Sequence, residues 1–390
     1  MDAKPHPRHP GAMGEQFADF EAACLTVRLG AIVANYRTYR RLTGPTAVAA
    51  VVKADGYGLG AARIAPALAD AGCDSFFVAR LEEAIALRGL VPRARIFVLD
   101  GAPADAVPAL ISHRLTPVLN SLSEIAAWSA AANIGRQALD AVVHVDTGMN
   151  RLGLPGHELA VLSAESAKRL SGLNLVLVMS HLACADDPAN KLNGEQLSRF
   201  RQALAMLPPA PASLAASHGV MLGPDYHFDL VRPGVALYGA NPEAREGGVG
   251  DPKPNLMQTV AVLTARILQL RRIDSGESVG YGATFRARRP MMLATIALGY
   301  ADGFPRALSS KGVAAVGGAR VAVTGRISMD LTTLDVTDLA EAPHVGDEAE
   351  LLGDRISLGE VAALAGTNEY EILTRLRRVP KVYEEAQAAA

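Results

Sequence analysis

Lys53 ends the apolar run AVV and is followed at once by a glycine-rich turn, ADGYGLG. A lysine emerging from a buried run is partly desolvated, which lowers its pKa and lets the free amine form a Schiff base with an aldehyde. The competing expectation is an ordinary strand-end lysine that reaches solvent. The same stretch also satisfies a loose dinucleotide pattern, Gly56-Tyr-Gly58-Leu-Gly60-Ala61. That pattern wants an acidic ribose ligand where the next strand ends, but FFVAR ends in Arg80. The lysine-centred site therefore ranks above a nucleotide site. His181 also closes an apolar run; a histidine there is commonly structural, but the end of a strand raises the functional expectation.

The elements that must position these groups are short apolar runs separated by stretches of helical spacing. Eight runs fit: Val48–Lys53, Ser75–Arg80, Arg95–Asp100, Leu115–Asn120, Ala141–Asp146, Leu175–His181, Ala212–Ser217 and Leu230–Tyr238. Strand alternating with helix predicts a parallel sheet, and eight units in about 230 residues predict an α/β fold of the (β/α)8 TIM-barrel type. A doubly wound open sheet is the alternative. In a barrel, Lys53 and His181 would both sit at the carboxyl ends of strands, where active sites are built.

After Tyr238 the character changes. NPEAREGGVGDPKPN (241–255) reads as a linker, and beyond it come TVAVLTARILQL, VGYGATF, MMLATIALGY, GARVAVTGRISMDLTTLDV and EAELLG, separated by glycine turns. These predict a mainly β domain, closed by two short helical patterns, SLGEVAALAG and NEYEILTRL. The organisation expected is a polar tail over 1–20, a barrel over 21–245 and a β domain over 246–390.

Composition narrows the function classes. The 390 residues carry 38 Lys plus Arg against 40 Asp plus Glu, a formal net charge of −2, so neither nucleic acid nor an anionic membrane is expected as the main partner. Aromatics are only 5%, so the core must come from Ala, Val, Leu and Ile, which suits strands covered on both faces. Three cysteines (Cys24, Cys73, Cys184) form no CxxC and point to neither a disulfide framework nor a metal cage. No run approaches a bilayer span and the first residues lack a signal-peptide core, so the expectation is a cytoplasmic protein.

VVKADGYGLG resembles the pyridoxal 5'-phosphate (PLP) lysine motif of the alanine racemase family, the PLP-dependent fold-type III barrel enzymes. Further segments match in order: HVDTGMNRLG, MSHLA, FDLVRPGVALYG, VGYGATF, ALGYADGFPR, TGRISMD and YEILTRL. The resemblance covers nearly the whole chain. It implies an isomerase interconverting L- and D-alanine, with D-alanine biosynthesis as a role and alanine, or another small amino acid such as serine, as substrate. By resemblance Lys53 binds the cofactor and acts as base on one face, and Tyr281 of YGATF is the base on the other. Two groups of different intrinsic pKa can share this work if their surroundings tune both towards working pH.

The resemblance also implies that Arg232 faces the cofactor's ring nitrogen, and that Ser217, Gly234, Val235 and Tyr57 hold its phosphate. His181 then lies beside the ring, while Arg151 and the backbone N–H of Met329 hold the substrate carboxylate. His144, Tyr300 and Asp330 fall at supporting or entrance positions. No metal is implied. A homodimer with active sites shared between chains is.

The chain departs from the family pattern at three places. His144 stands where many relatives carry a lysine, often carbamylated, that orients the arginine matching Arg151. Ala216 stands where asparagine is common, and RLRRVP offers no second phosphate tyrosine. Rival readings are a PLP-handling barrel without racemase activity, a decarboxylase of the same fold and an NAD-dependent oxidoreductase.

Overall fold

The computed structural model describes residues 22–244 and 254–385. The expected polar tail over 1–20 and most of the expected linker lie outside the described residues. The described residues pack as two units, those from Leu29 to Gln258 and a second that joins the residues up to Arg28 to those from Thr259 onward.

The first unit is the parallel barrel. Seven neighbouring strands run from Ala50–Val51 through Ser75–Val78, Arg95–Val98, Thr116–Leu119, Leu139–His144 and Leu173–Met179 to Ala212–Ser213. Leu230–Val231 pairs in parallel with Ala47–Val48, the start of strand one, and Arg232 N–H donates to Ala215 O at 2.9 Å. These bonds close the ring, so all eight apolar runs supply barrel strands. Strand two shows why the runs are continuous rather than alternating. Ser75, Phe76, Phe77 and Val78 are all buried, one face on the barrel interior and the other on helices. Phe77 stacks on Phe97 of strand three with ring centroids 4.5 Å apart, filling the barrel.

The second unit is an eight-stranded, mostly antiparallel sheet around the long strand Ala261–Ile273. The sheet also contains Met291–Ile296, Thr332–Asp335, Ala319–Val323 and Glu348–Leu352, each inside an expected run. Leu358–Ala365 and Glu369–Arg375 are the two helices, each capped by the side chain before it, Ser357 Oγ to Glu360 N–H and Asn368 Oδ1 to Glu371 N–H. Ala23–Arg28 joins this sheet, antiparallel to Ala261–Ile273 and parallel to Lys381–Glu384. Arg28 adds a paired bond to the Asp354 carboxylate at 2.9 Å. Residues 23–28 thus group with the sheet rather than with the barrel segment that follows them.

Candidate active site

Lys53 leaves strand one at its carboxyl end, half-buried. Burial first, and then the Arg151 cation, hold its amine below the usual lysine range, with Glu83 and Asp100 pulling the other way. The chain after it makes a left-handed turn: Ala54, Asp55, Gly56 and Tyr57 have φ of 54°, 56°, 60° and 55°. Three of these are not glycine, and at roughly 1–2 kcal/mol each the turn stores about 3–6 kcal/mol. It is stitched by Gly58 N–H to Ala54 O at 2.7 Å, Gly60 N–H to Asp55 O at 2.8 Å, and Ala61 N–H to the Asp55 carboxylate at 2.8 Å.

The turn's product is the placement of Tyr57. Its ring is buried against Tyr238, with centroids 4.6 Å apart, and its hydroxyl lies where a Cβ on residue 234 would be. Only glycine fits at 234. Ser217 Oγ accepts from Gly234 N–H at 2.9 Å and from Ala236 N–H at 3.4 Å. Val235 opens a 3-10 turn, so its amide has no acceptor within that turn. Ser217, Gly234, Val235 and Tyr57 thus form one cradle of hydroxyls and amides beside strands seven, eight and one.

Arg232, next along strand eight, is buried, and among the described residues no carboxylate pairs with it. Its terminal nitrogens donate to Ser213 Oγ, Ser180 O at 2.7 Å and Leu214 O at 3.4 Å, and its guanidinium lies 5.9 Å from the Phe77 ring centre. Desolvation pushes its pKa down to about 9, so it remains a cation at neutral pH. His181 is held well below the ordinary histidine range by burial and by Arg232, Arg151, His144 and Lys53, so it is neutral. Its carbonyl and Thr147 Oγ1 both accept from the buried Gln196 amide, which ties the end of strand six to the loop after strand five.

That loop carries Arg151. Asp146 Oδ1 accepts from the amides of Gly148, Met149 and Asn150, and Leu154 N–H donates to His144 O, which draws the loop into a compact knuckle. Arg151 stands exposed on it with no acceptor among the described residues. His144 is pushed down to about 4, by burial first and then by Arg232. Its Nδ1 lies 2.8 Å from Asn120 Oδ1.

In the sheet unit, Tyr281 begins a 3-10 turn between Gly280 and Gly282, both at left-handed φ (75° and 73°), and is 72% exposed. The turn rests on Arg326, which a Cβ at either glycine would strike. Residues 328–330 then meet Tyr300: Tyr300 N–H donates to Ser328 O and Ala301 N–H to Met329 O. Met329 N–H has no acceptor among the described residues. Tyr281, Met329 (53% exposed) and Tyr300 (38%) are each exposed large side chains of this unit, and Asp330, next to Met329, is exposed as well.

Lys53, Tyr57, His144, Arg151, His181, Ser217, Arg232, Gly234 and Val235 thus belong to the carboxyl ends of the barrel strands, and Tyr281, Tyr300, Met329 and Asp330 to the sheet unit. Sequence reasoning missed Asn120, Glu83 and Gln196. Asn120 had a signal, being the polar residue that closes the run LTPVLN. The other two act from within helices and had none. Among the described residues no group of three or more metal-ligating side chains occurs, and no helix is long and apolar enough to cross a membrane.

Fold and site together define a class of barrel proteins whose strand ends carry a lysine of lowered basicity, a buried cation and a cradle of hydroxyls and amides. The alanine racemase N-terminal domain matches residues 27–242 and the alanine racemase C-terminal domain matches residues 260–383. The chain belongs to the alanine racemase family. It is 47% identical over 370 residues to an alanine racemase of Rhodospirillum rubrum, covering 94% of this chain and 96% of that one. It is 45% identical over 366 residues to a catabolic alanine racemase of Agrobacterium fabrum, covering 93% and 92%. The crystal structure of the Bartonella henselae alanine racemase with covalently bound pyridoxal phosphate superposes with a TM-score of 0.88 at 42% identity, covering 93% of this chain and 99% of that one.

The residues present fit PLP. The cradle of hydroxyls and amides, for which Gly234 leaves room by lacking a Cβ, suits a phosphate, the unpaired buried Arg232 suits a ring nitrogen that accepts, and Lys53 suits the aldehyde.

Proposed function

We propose that this protein racemises alanine with PLP, and that Lys53 and Tyr281 exchange protons with opposite faces of the substrate's Cα. Family membership over both halves of the chain supports the reaction. The observation that carries the site assignment is the convergence of Lys53, Arg232, His181 and the Ser217–Gly234–Tyr57 cradle on one end of the barrel. When bound, the cofactor supplies an electron sink that acidifies the Cα proton.

The chain's own residues do the rest. Lys53, its amine held below the ordinary lysine range by burial and by Arg151, takes a proton from one face. Tyr281 returns a proton to the other, which inverts the centre. Arg232 can only donate, so a ring nitrogen facing it stays unprotonated; this weakens the sink and limits reprotonation at the wrong carbon. Tyr57, Ser217 and the Val235 amide would hold the phosphate, with Gly234 leaving room for the Tyr57 hydroxyl, and His181 would lie beside the ring. Arg151, exposed and without a protein acceptor, and Met329 N–H hold the substrate carboxylate. Tyr281 and Tyr300 narrow the space near Cα, which favours alanine, with serine second.

The working unit on this reading is a homodimer. Tyr281, Met329 and Tyr300 are exposed in the single chain, and on this reading a partner's barrel mouth covers them. Cys24, Cys73 and Cys184 form no disulfide, which suits the reducing cytoplasm. The test is a screen of the purified PLP-loaded protein against all common L- and D-amino acids. Alanine should racemise fastest; faster turnover of lysine or arginine would overturn the substrate reading.

A further inference from the structure

Glu83 lies in the first turn of the helix Leu81–Leu90, which follows barrel strand two. Its Oε2 accepts from the amides of Ala79 and Arg80 at 2.9 and 3.1 Å, an ordinary use of a glutamate near a helix N-terminus. Its Oε1 does something else. It accepts from Ala54 N–H at 2.5 Å, reaching 29 residues back along the chain to the first residue after Lys53. Ala54 is also the first residue of the left-handed turn, with φ 54°.

We propose that Glu83 is a positioning residue for Lys53: its carboxylate holds the Ala54 amide, and so fixes the strained turn that sets where the lysine side chain leaves strand one. The inference rests on the reading of Lys53 as the cofactor-binding base. Three donors converge on the two oxygens of Glu83, so a carboxylate is required. A glutamine offers one oxygen and turns an NH2 group towards a donor. The far end of the turn is pinned separately, by the Asp55 carboxylate on Ala61 N–H. Glu83 is therefore the anchor next to the reactive side chain. It also faces Lys53 electrically: with Asp100 it is one of two carboxylates that oppose burial and Arg151 in setting the lysine's affinity for its proton.

The test compares Glu83→Gln and Glu83→Asp with the parent as PLP-loaded holoenzymes. Gln and Asp both serve near a helix start, so both variants should melt with the parent. Asp is one methylene shorter, keeps the charge and should still reach Ala79 and Arg80 but not Ala54. Three readings are taken: alanine kcat and KM, thermal unfolding, and amide hydrogen exchange of the peptide containing Ala54–Gly58. In both variants exchange there should rise about tenfold while strand Ala47–Val51 stays protected. In both, kcat should fall about tenfold or more with KM little changed, because the reacting amine is misplaced rather than the substrate unbound. If only one variant folds, that one decides.

Parental kcat in either folded variant would overturn the proposal, as would a fall in kcat without faster exchange at Ala54. An Asp variant equal to the parent would overturn it because the carboxylate's reach to Ala54 N–H would then not position the lysine. A parent that exchanges as expected but does not racemise alanine would instead overturn the proposed reaction.

Discussion

Asn120 donates its amide hydrogens to Leu99 O at 3.1 Å and Val118 O at 2.9 Å, so its Oδ1 accepts, and His144 Nδ1 must be the donor to it. With its pKa near 4 the imidazole is neutral at physiological pH, and the Nδ1–H tautomer leaves Nε2 as an acceptor. The position at which the family resemblance implies a lysine, often carbamylated, is thus filled by a neutral, oriented ring that cannot be carbamylated in that way.

The alanine turnover of the parent protein should accordingly be independent of added or removed bicarbonate, and His144→Lys should retain or raise activity. Racemisation in degassed and bicarbonate-supplemented buffer checks this. Strict dependence on bicarbonate in the unmodified protein would contradict it.

The same histidine sets an acid limit on stability. Its folded pKa is near 4 and its unfolded value is about 6.5. Above pH 6.5 both states are neutral and the folded state keeps its full stability. Between 6.5 and 4 the unfolded chain takes up a proton that the folded chain refuses, so stability falls as pH falls, by at most about 1.4 kcal/mol per pH unit from this group. Denaturant midpoints at pH 7 and pH 5 should differ less in His144→Gln than in the parent. An equal difference would show that His144 is not the source.

Gly234→Ala places a methyl on the Tyr57 hydroxyl. Tyr57 must move or strand eight must shift, costing about 1–3 kcal/mol by overpacking. The variant should lose PLP on dialysis at least about tenfold faster than the parent, read by absorbance. Unchanged retention would remove Gly234 and Tyr57 from the phosphate site.

How much of this was written in the sequence depends on the range of each interaction. The eight barrel strands were legible because a parallel strand covered on both faces is a continuous apolar run. The strand-end residues Lys53, His181, Ser217 and Arg232 followed from that frame together with the family's motifs. Ala23–Arg28 was not legible as part of the sheet unit, because its partners are Ala261–Ile273 and Lys381–Glu384, more than two hundred residues away. Nor was the left-handed turn, since nothing in the letters Ala54, Asp55 and Tyr57 calls for positive φ. What accompanies it is long-range: the Ala54 N–H bond to Glu83 and the fit of Tyr57 over Gly234.

A heterodimer separates sharing of sites in trans from sites within one chain. Lys53→Ala and Tyr281→Phe homodimers should each be nearly inactive. If each site takes its lysine and tyrosine from different chains, the heterodimer concentrates both lesions in one site and leaves the other whole. Activity should then return to about half per heterodimer, provided the sites act independently. A verified heterodimer with no recovery would rule out trans sharing.

The central claim is that Lys53 is where PLP is attached, and borohydride reduction of the holoenzyme followed by peptide mapping tests it most directly. Reduction should discharge the visible absorbance and leave one pyridoxyl label, on the peptide containing Lys53. A label on another lysine, or no stable label at all, would contradict the account.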